Sequence, residues 1–256
     1  MNLRTKFKKI AQFHKGYARD FLYTKASSRD SYLGSNIKGL FFVFSYCFYQ
    51  GRRDELSERF QKLAQKAFKL FIKQEKINIL DLSVKRIYDK EKLIRRYDKL
   101  YKILKEEGVN KEGDRLMVIS VINFIQSNEE KNIVRFLIRK IKERKVAEAY
   151  DELDSIWSIG GKIAALILRD IVYIYKLEKF LASADYCFLQ PVDTWVHQIS
   201  QELKLTKHKY ICPEEAVDLA KSCLKVKVNP IHFNQGAWYL GANSTRILLE
   251  NLEKMI

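Results

Sequence analysis

Proline is almost missing from this chain. Only Pro191, Pro213 and Pro230 occur in 256 residues, so the first 190 hold none. Proline is what most reliably breaks a helix interior, and its absence leaves long stretches free to run as helix. Alternating strand patterns are also scarce. The "KVKV" at 225–228 is too short to count as one. Cysteine is sparse: Cys47, Cys187, Cys212 and Cys223 form no C-x-x-C pair, and their spacings suit neither a zinc site nor an iron–sulfur cluster. They are expected to be free thiols in a reducing compartment. The four histidines, His14, His197, His208 and His232, have no metal-ligand spacing and are expected at the surface or at helix caps. No run approaches the roughly 20 apolar residues of a membrane span. The N-terminal "MNLRTKFKKIAQFHKGY" is basic and amphipathic, without the apolar core or small-residue cleavage site of a secretory signal. A cytoplasmic location is expected, nucleoid-associated if the source is prokaryotic.

Acid is in short supply as well. The formal net charge is +16, which points to a polyanionic partner. Nucleic acid is the simplest, an anionic membrane surface is the rival, and a lysine-rich composition without a partner is the third explanation. An apolar fraction of 47% is that of a folded globular chain rather than a disordered one.

What remains is helical pattern. Phe60, Leu63, Ala64, Ala67, Leu70 and Phe71 follow a helical stripe after Asp54. "LGSNIKGLFFVFSYCFYQ" reads as a more buried helix ending near Gly51. Amphipathic segments lie near 84–107, 112–126 and 129–147. Pro213 and Pro230 sit where first helical turns are expected. The fold class is all-α, with no repeat and no low-complexity linker.

Two short stretches carry chemistry. In "SIGGKIAALIL" an apolar helix opens with Lys162, where the helix dipole disfavours a cation. Ile159, Gly160 and Gly161 form a tight turn before it, and residues 146–157 read as the preceding helix. Backbone N–H groups at such a turn, with the following helix N-terminus, make an anion site suited to a DNA phosphate. An ordinary helix corner is the alternative. In "LQPVDTWVHQI" Asp193 precedes an apolar-periodic run and is a natural N-cap, which need be structural only.

Together the two segments resemble the helix–hairpin–helix DNA glycosylases, the HhH-GPD superfamily, whose pattern is a glycine-containing hairpin, a helix, a loop and Val-Asp. Here "IWSIGGK" stands for the hairpin and "PVDTWV" for the second part. The resemblance implies that Lys162 is the nucleophile of a bifunctional enzyme and Asp193 the essential aspartate, with Ile159, Gly160 and Gly161 on DNA. "NPIHFNQGAWYLGANS", residues 229–244, is similar to the C-terminal helix that closes the base pocket in 8-oxoguanine glycosylases. That implies Gln235 reading the base edge and Trp238 or Tyr239 stacking on the flipped base, although both rings could be plain core aromatics. A further match at "FSYCFYQGRRDEL" makes Gln50 a candidate wedge for the vacated stack. The fold so implied is one HhH-GPD module over 1–256, with helical subdomains near 51–200 and 1–50 plus 201–256 and the active-site cleft between them. The implied partner is damaged double-stranded DNA, bound by a monomer without membrane. No obligatory cofactor and no metal are implied, apart from a monovalent cation that hairpin carbonyls can hold.

Several positions depart from the family. Ser158 replaces the first hairpin glycine, Trp195 stands where many members have histidine, and the stretch between Lys162 and Asp193 is longer than usual, as in the archaeal 8-oxoguanine branch. The cysteine tail of the endonuclease III branch is missing. The chemistry expected is base excision and β-elimination: a carboxylate stabilises positive charge growing on the sugar, and a lysine attacks C1′. Burial and a helix N-terminus both favour the neutral amine that attack requires, so Lys162 is expected to be buried. Removal of another damaged base, such as an oxidised pyrimidine, and non-catalytic DNA binding are the alternatives.

Overall fold

Several of the shorter helices here begin where a side chain or a proline is ready to start them. The computed structural model describes residues 2–49, 54–244 and 247. In chain order they form α1 (Leu3–Gln12), α2 (His14–Tyr17), α3 (Tyr23–Ser27), α4 (Arg29–Gly34), α5 (Asn36–Cys47), α6 (Asp54–Glu75), α7 (Lys90–Arg96) and α8 (Asp98–Glu106). Then come α9 (Glu112–Ser127), α10 (Ile133–Lys142), α11 (Val146–Asp154), α12 (Gly161–Tyr175), α13 (Thr194–Glu202), α14 (Pro213–Lys225) and α15 (Pro230–Ala242). No strand occurs among the described residues, so the protein is all-α. Asn2, Ser35, Asp89, Asn132, Asp193 and Asn229 each accept a backbone N–H of the helix they precede, satisfying donors that a helix start leaves open. Pro213 and Pro230 occupy first turns.

The ends are less usual. The chain has only 10 glycines, and among the described residues Gly108 is the only one of them that is a left-handed helix terminator. Arg144, Lys176, Lys204 and Lys227 adopt φ between 55° and 61°, and the residue after each donates back into the last turn, as Leu205 N–H does to Ser200 O at 2.8 Å. Glycine normally fills this position. A cation there meets the negative end of the helix dipole, which offsets part of the left-handed strain.

The chain divides into two compact units, Ser28–Ile167 and a discontinuous one joining Met1–Ser27 to Leu168–Ile256. The division falls earlier than the expected 50/51 and 200/201. Residues 28–50 belong to the inserted unit because α5 packs on α4 and α10. Residues 168–200 belong to the terminal unit because α13 packs on α15. In the terminal unit α1 and α15 touch at the backbone: a Cβ on Gly236 would lie 2.1 Å from the Ile10 carbonyl oxygen. Phe7 stacks on Phe233 at 4.5 Å, amid Val192, Val196, Leu219 and Cys223. In the inserted unit α9 is the hub, with every residue from Asp114 to Gln126 buried.

The expected helical segment near 84–107 is interrupted at two places. Residues 84–89 are not helical; Val84 N–H bonds Gln126 O at 3.4 Å and Ile87 N–H bonds Asn123 Oδ1 at 2.8 Å. Between α7 and α8 stands Tyr97, whose buried hydroxyl donates to Gln126 and accepts from Asn123 Nδ2 at 3.1 Å. Tertiary partners on α9 thus override the local helical period.

Candidate functional site

The hairpin lies wholly within the inserted unit. α11 ends at Asp154, and Ile159 N–H returns to Ile156 O at 2.9 Å, closing a turn whose two isoleucines, Ile156 and Ile159, are buried while Trp157 is exposed. Ser158 takes φ 61°, so the departure from glycine keeps the left-handed backbone at a cost of about 1–2 kcal/mol. Trp157 N–H donates to Ser120 Oγ at 3.2 Å, fastening the turn to α9. The two glycines differ. A Cβ on Gly160 would meet open space, whereas one on Gly161 would fall 2.1 Å from the Tyr150 hydroxyl. The N–H groups of Gly160, Gly161 and Lys162 have no acceptor among the described residues. With the 15-residue α12 behind them they form a positive turn open to an anion.

Lys162, the first side chain of that helix, is exposed rather than buried as expected. The physical reason is its position: the apolar face of α12 begins at Ile163, and the first-turn residue before it projects away from the core.

Asp193 belongs to the terminal unit. It caps α13, its carboxylate accepting Val196 N–H at 3.0 Å, in extended backbone that an N-cap requires. No protein group among the described residues pairs with its second oxygen. Trp195 follows, 40% exposed, with its Cβ 2.6 Å from where a Cβ on Gly241 would be. The helices carrying Asp193 and the expected base-reading residues are therefore in close contact within this unit.

Gln235, Trp238 and Tyr239 lie on α15. Gln235 is fully buried; its amide donates to Asp170 Oδ1 at 3.3 Å and its own carbonyl oxygen has no partner. Tyr239 is buried too. Its hydroxyl donates to Asp20 Oδ2 at 2.7 Å, and its ring fills the space over Gly16, so neither face is open. Trp238 is half-buried, edge-on to Tyr17 and Phe21 at 5.6 and 5.0 Å. Of the two rings it alone retains accessible surface beyond a few percent. Gln50 lies outside the described residues.

Sequence reasoning missed the centre of this unit. Arg169 and Asp170, adjacent on α12 and both buried, form an ion pair at 2.9 Å. Arg169 also donates to Tyr17 Oη and, at 2.6 Å, to Asn234 Oδ1. Tyr17 donates to Asp170 Oδ2 at 2.8 Å, and burial holds its phenol well above the usual range. Lys25, near the same pair, has its pKa lowered by burial, against the raising effect of Asp170. The available signal was "LRD" inside an otherwise apolar helix.

Two histidines expected at the surface or at caps are neither. His197 is buried with Nδ1 2.7 Å from Glu215 Oε2. His232 stacks on His14 at 4.0 Å, and burial, reinforced by His14, holds its pKa down to about 4. Among the described residues no cluster of three or more His, Cys, Asp or Glu side chains could hold a metal ion, and no helix is long and apolar enough to cross a membrane. Comparison with models of known families, with characterised proteins and with solved structures gives no match.

Proposed function

We propose that the protein is a base-excision DNA repair enzyme, an N-glycosylase and β-elimination lyase acting on 8-oxoguanine in double-stranded DNA, with an HhH-GPD type fold. The observation that carries this reading is Asp193. Its carboxylate is fixed by a helix N-cap with one oxygen free of partners among the described residues, which suits a group placed to face a cationic sugar. The hairpin supports it, with three open N–H groups beside an exposed amine.

The chemistry runs as follows. The neutral Lys162 amine attacks C1′, the C1′–N9 bond breaks, and its electron pair leaves with the base, which takes up a proton. Opening of the sugar with loss of the amine proton gives an imine. Removal of a C2′ proton then expels the 3′ phosphate and cuts the strand. Because Lys162 is exposed in the free protein, desolvation of its amine falls to the bound DNA. On α15, Gln235 Oε1 is an acceptor without a partner, suited to the N–H edge of a purine, and Trp238 is the ring with surface left for stacking. Gln235 is buried, so reading a base with it requires α15 or the side chains over it to move.

Borohydride added to the protein with duplexes carrying single lesions tests the reading. Covalent trapping on 8-oxoguanine DNA, faster than on thymine glycol or uracil and lost in Lys162→Gln, is the expected result. Trapping that survives Lys162→Gln assigns the nucleophile elsewhere, and faster release of an oxidised pyrimidine overturns the lesion assignment. Exposure of Lys162 favours a second reading, a non-catalytic helix–hairpin–helix protein, which absence of both trapping and base release would support.

A further inference from the structure

One face of α6 carries charge of a single sign. Between Arg59 and Lys73 the sequence contains no acidic residue. Its cations fall at Arg59, Lys62, Lys66, Lys69 and Lys73, spaced three and four apart, and all five are exposed. At 100° per residue this spacing gathers them into one narrow arc. Ala64, Ala67, Phe68 and Phe71 occupy the opposite arc and are buried. Lysines three and four apart on one face repel one another and weaken a helix, and an ordinary solvated face mixes signs to avoid that. Along this arc, Lys62, Gln65, Lys66, Lys69, Leu70 and Lys73 border a shallow groove of about 360 Å³.

We infer that the cationic arc of α6 is a second docking surface for the phosphate backbone of duplex DNA, separate from the hairpin. The inference rests on the reading of the protein as a DNA-acting enzyme. From Arg59 to Lys73 the arc runs about 21 Å at the α-helical rise, the length of several phosphates at one per 3.4 Å of axis on each strand. Lys66 is steadied by Glu107 at 2.6 Å and Lys62 lies 3.9 Å from Glu58. Lys69 extends over the Phe41 ring at 5.5 Å. No carboxylate among the described residues lies within ion-pair distance of Lys69 or Lys73, so their charge is available to a partner. A membrane-surface helix would need its apolar arc free to enter the lipid; here that arc is in the protein core.

The test is the salt dependence of binding to an undamaged duplex, read by fluorescence anisotropy. A variant combining Lys62→Gln, Lys66→Gln, Lys69→Gln and Lys73→Gln is compared with one carrying Lys207→Gln, Lys209→Gln, Lys221→Gln and Lys225→Gln, which removes the same charge elsewhere. With each phosphate contact worth about 0.9 in the log–log slope, the α6 variant should lose about 2 or more from the slope's magnitude and the control less than about 1. Equal losses would mean a general field effect, and an unchanged slope would mean no contact; either overturns the inference. So does an α6 variant that keeps its DNA slope but no longer sediments with phosphatidylserine vesicles that the wild-type protein binds. Should the fourfold variant melt early, Lys69→Gln alone must still lower the slope by about 0.9. The excision reading fails separately, if wild-type protein shows the α6-dependent slope yet neither releases a base nor is trapped.

Discussion

Asn234 donates its side-chain N–H to the carbonyl of Pro191 at 3.2 Å. The same amide accepts from Arg169 at 2.6 Å. The loop that ends in Asp193 is thereby tied, two residues before the carboxylate, to a buried ion pair on α12. Placement of Asp193 depends on a cap at one end and on this tie at the other.

Asp193→Asn separates capping from charge. Asparagine caps a helix as well as aspartate does, and its side-chain oxygen can still accept Val196 N–H. The variant should stay within about 0.5 kcal/mol of wild type in urea melts, while Asp193→Ala loses about 1 kcal/mol. Both should lose most single-turnover base excision. Near-normal excision by Asp193→Asn would reduce the residue to a cap.

Arg169→Met strands Asp170 in the core, where Arg169 is its ion-pair partner. Leaving one member of a buried pair uncompensated costs about 3–5 kcal/mol, visible as a shift of the urea midpoint. Adding Asp170→Leu should recover part of this, because two apolar groups avoid the unpaired charge. Equal stability of the single variant and wild type would show that the pair contributes little.

The hairpin glycines should respond oppositely to the same change. Gly160→Ala meets open space and should be near neutral, while Gly161→Ala meets the Tyr150 hydroxyl and should cost about 1–3 kcal/mol. Ser158→Gly relieves a left-handed serine and should raise stability by up to about 1 kcal/mol. Thermal melts of the three variants, run together, check the order.

His232 makes stability depend on mildly acid pH. Its folded pKa of about 4 lies below the ordinary 6.5, so between these values the unfolded chain binds more protons and stability falls as pH falls. The side chain is only half-buried, so solvent screening limits the loss to about 1–2 kcal/mol across that window. Urea midpoints measured from pH 7 to pH 4 should decline, and His232→Phe should flatten the curve. An identical decline in that variant would assign it to other groups.

What the sequence made legible was whatever one segment decides alone. The cap at Asp193, the helix starts at Pro213 and Pro230, and the turn before Lys162 depend on neighbours a few residues away. The breaks at residues 84–89 and at Tyr97 did not show, because they depend on Asn123 and Gln126 in α9. Arg169 and Asp170 looked anomalous in an apolar helix, but their partners Tyr17 and Asn234 are 152 and 65 residues from Arg169. Exposure of Lys162 was missed because the apolar run beside it suggested burial, whereas the buried arc begins one residue later. Tyr239 and Trp238 look interchangeable in sequence; the hydroxyl's bond to Asp20 and the missing side chain of Gly16 draw one of them inward.

The left-handed cations at helix ends give the basic charge a second meaning. Arg144, Lys176, Lys204 and Lys227 stand where glycine would fit the backbone better, so four positive charges can be deleted at sites where the fold stands to gain. A chain carrying glycine at all four would be less basic without being looser. It offers a background in which non-specific attraction to polyanions is reduced while the hairpin and α6 keep every one of their own cations.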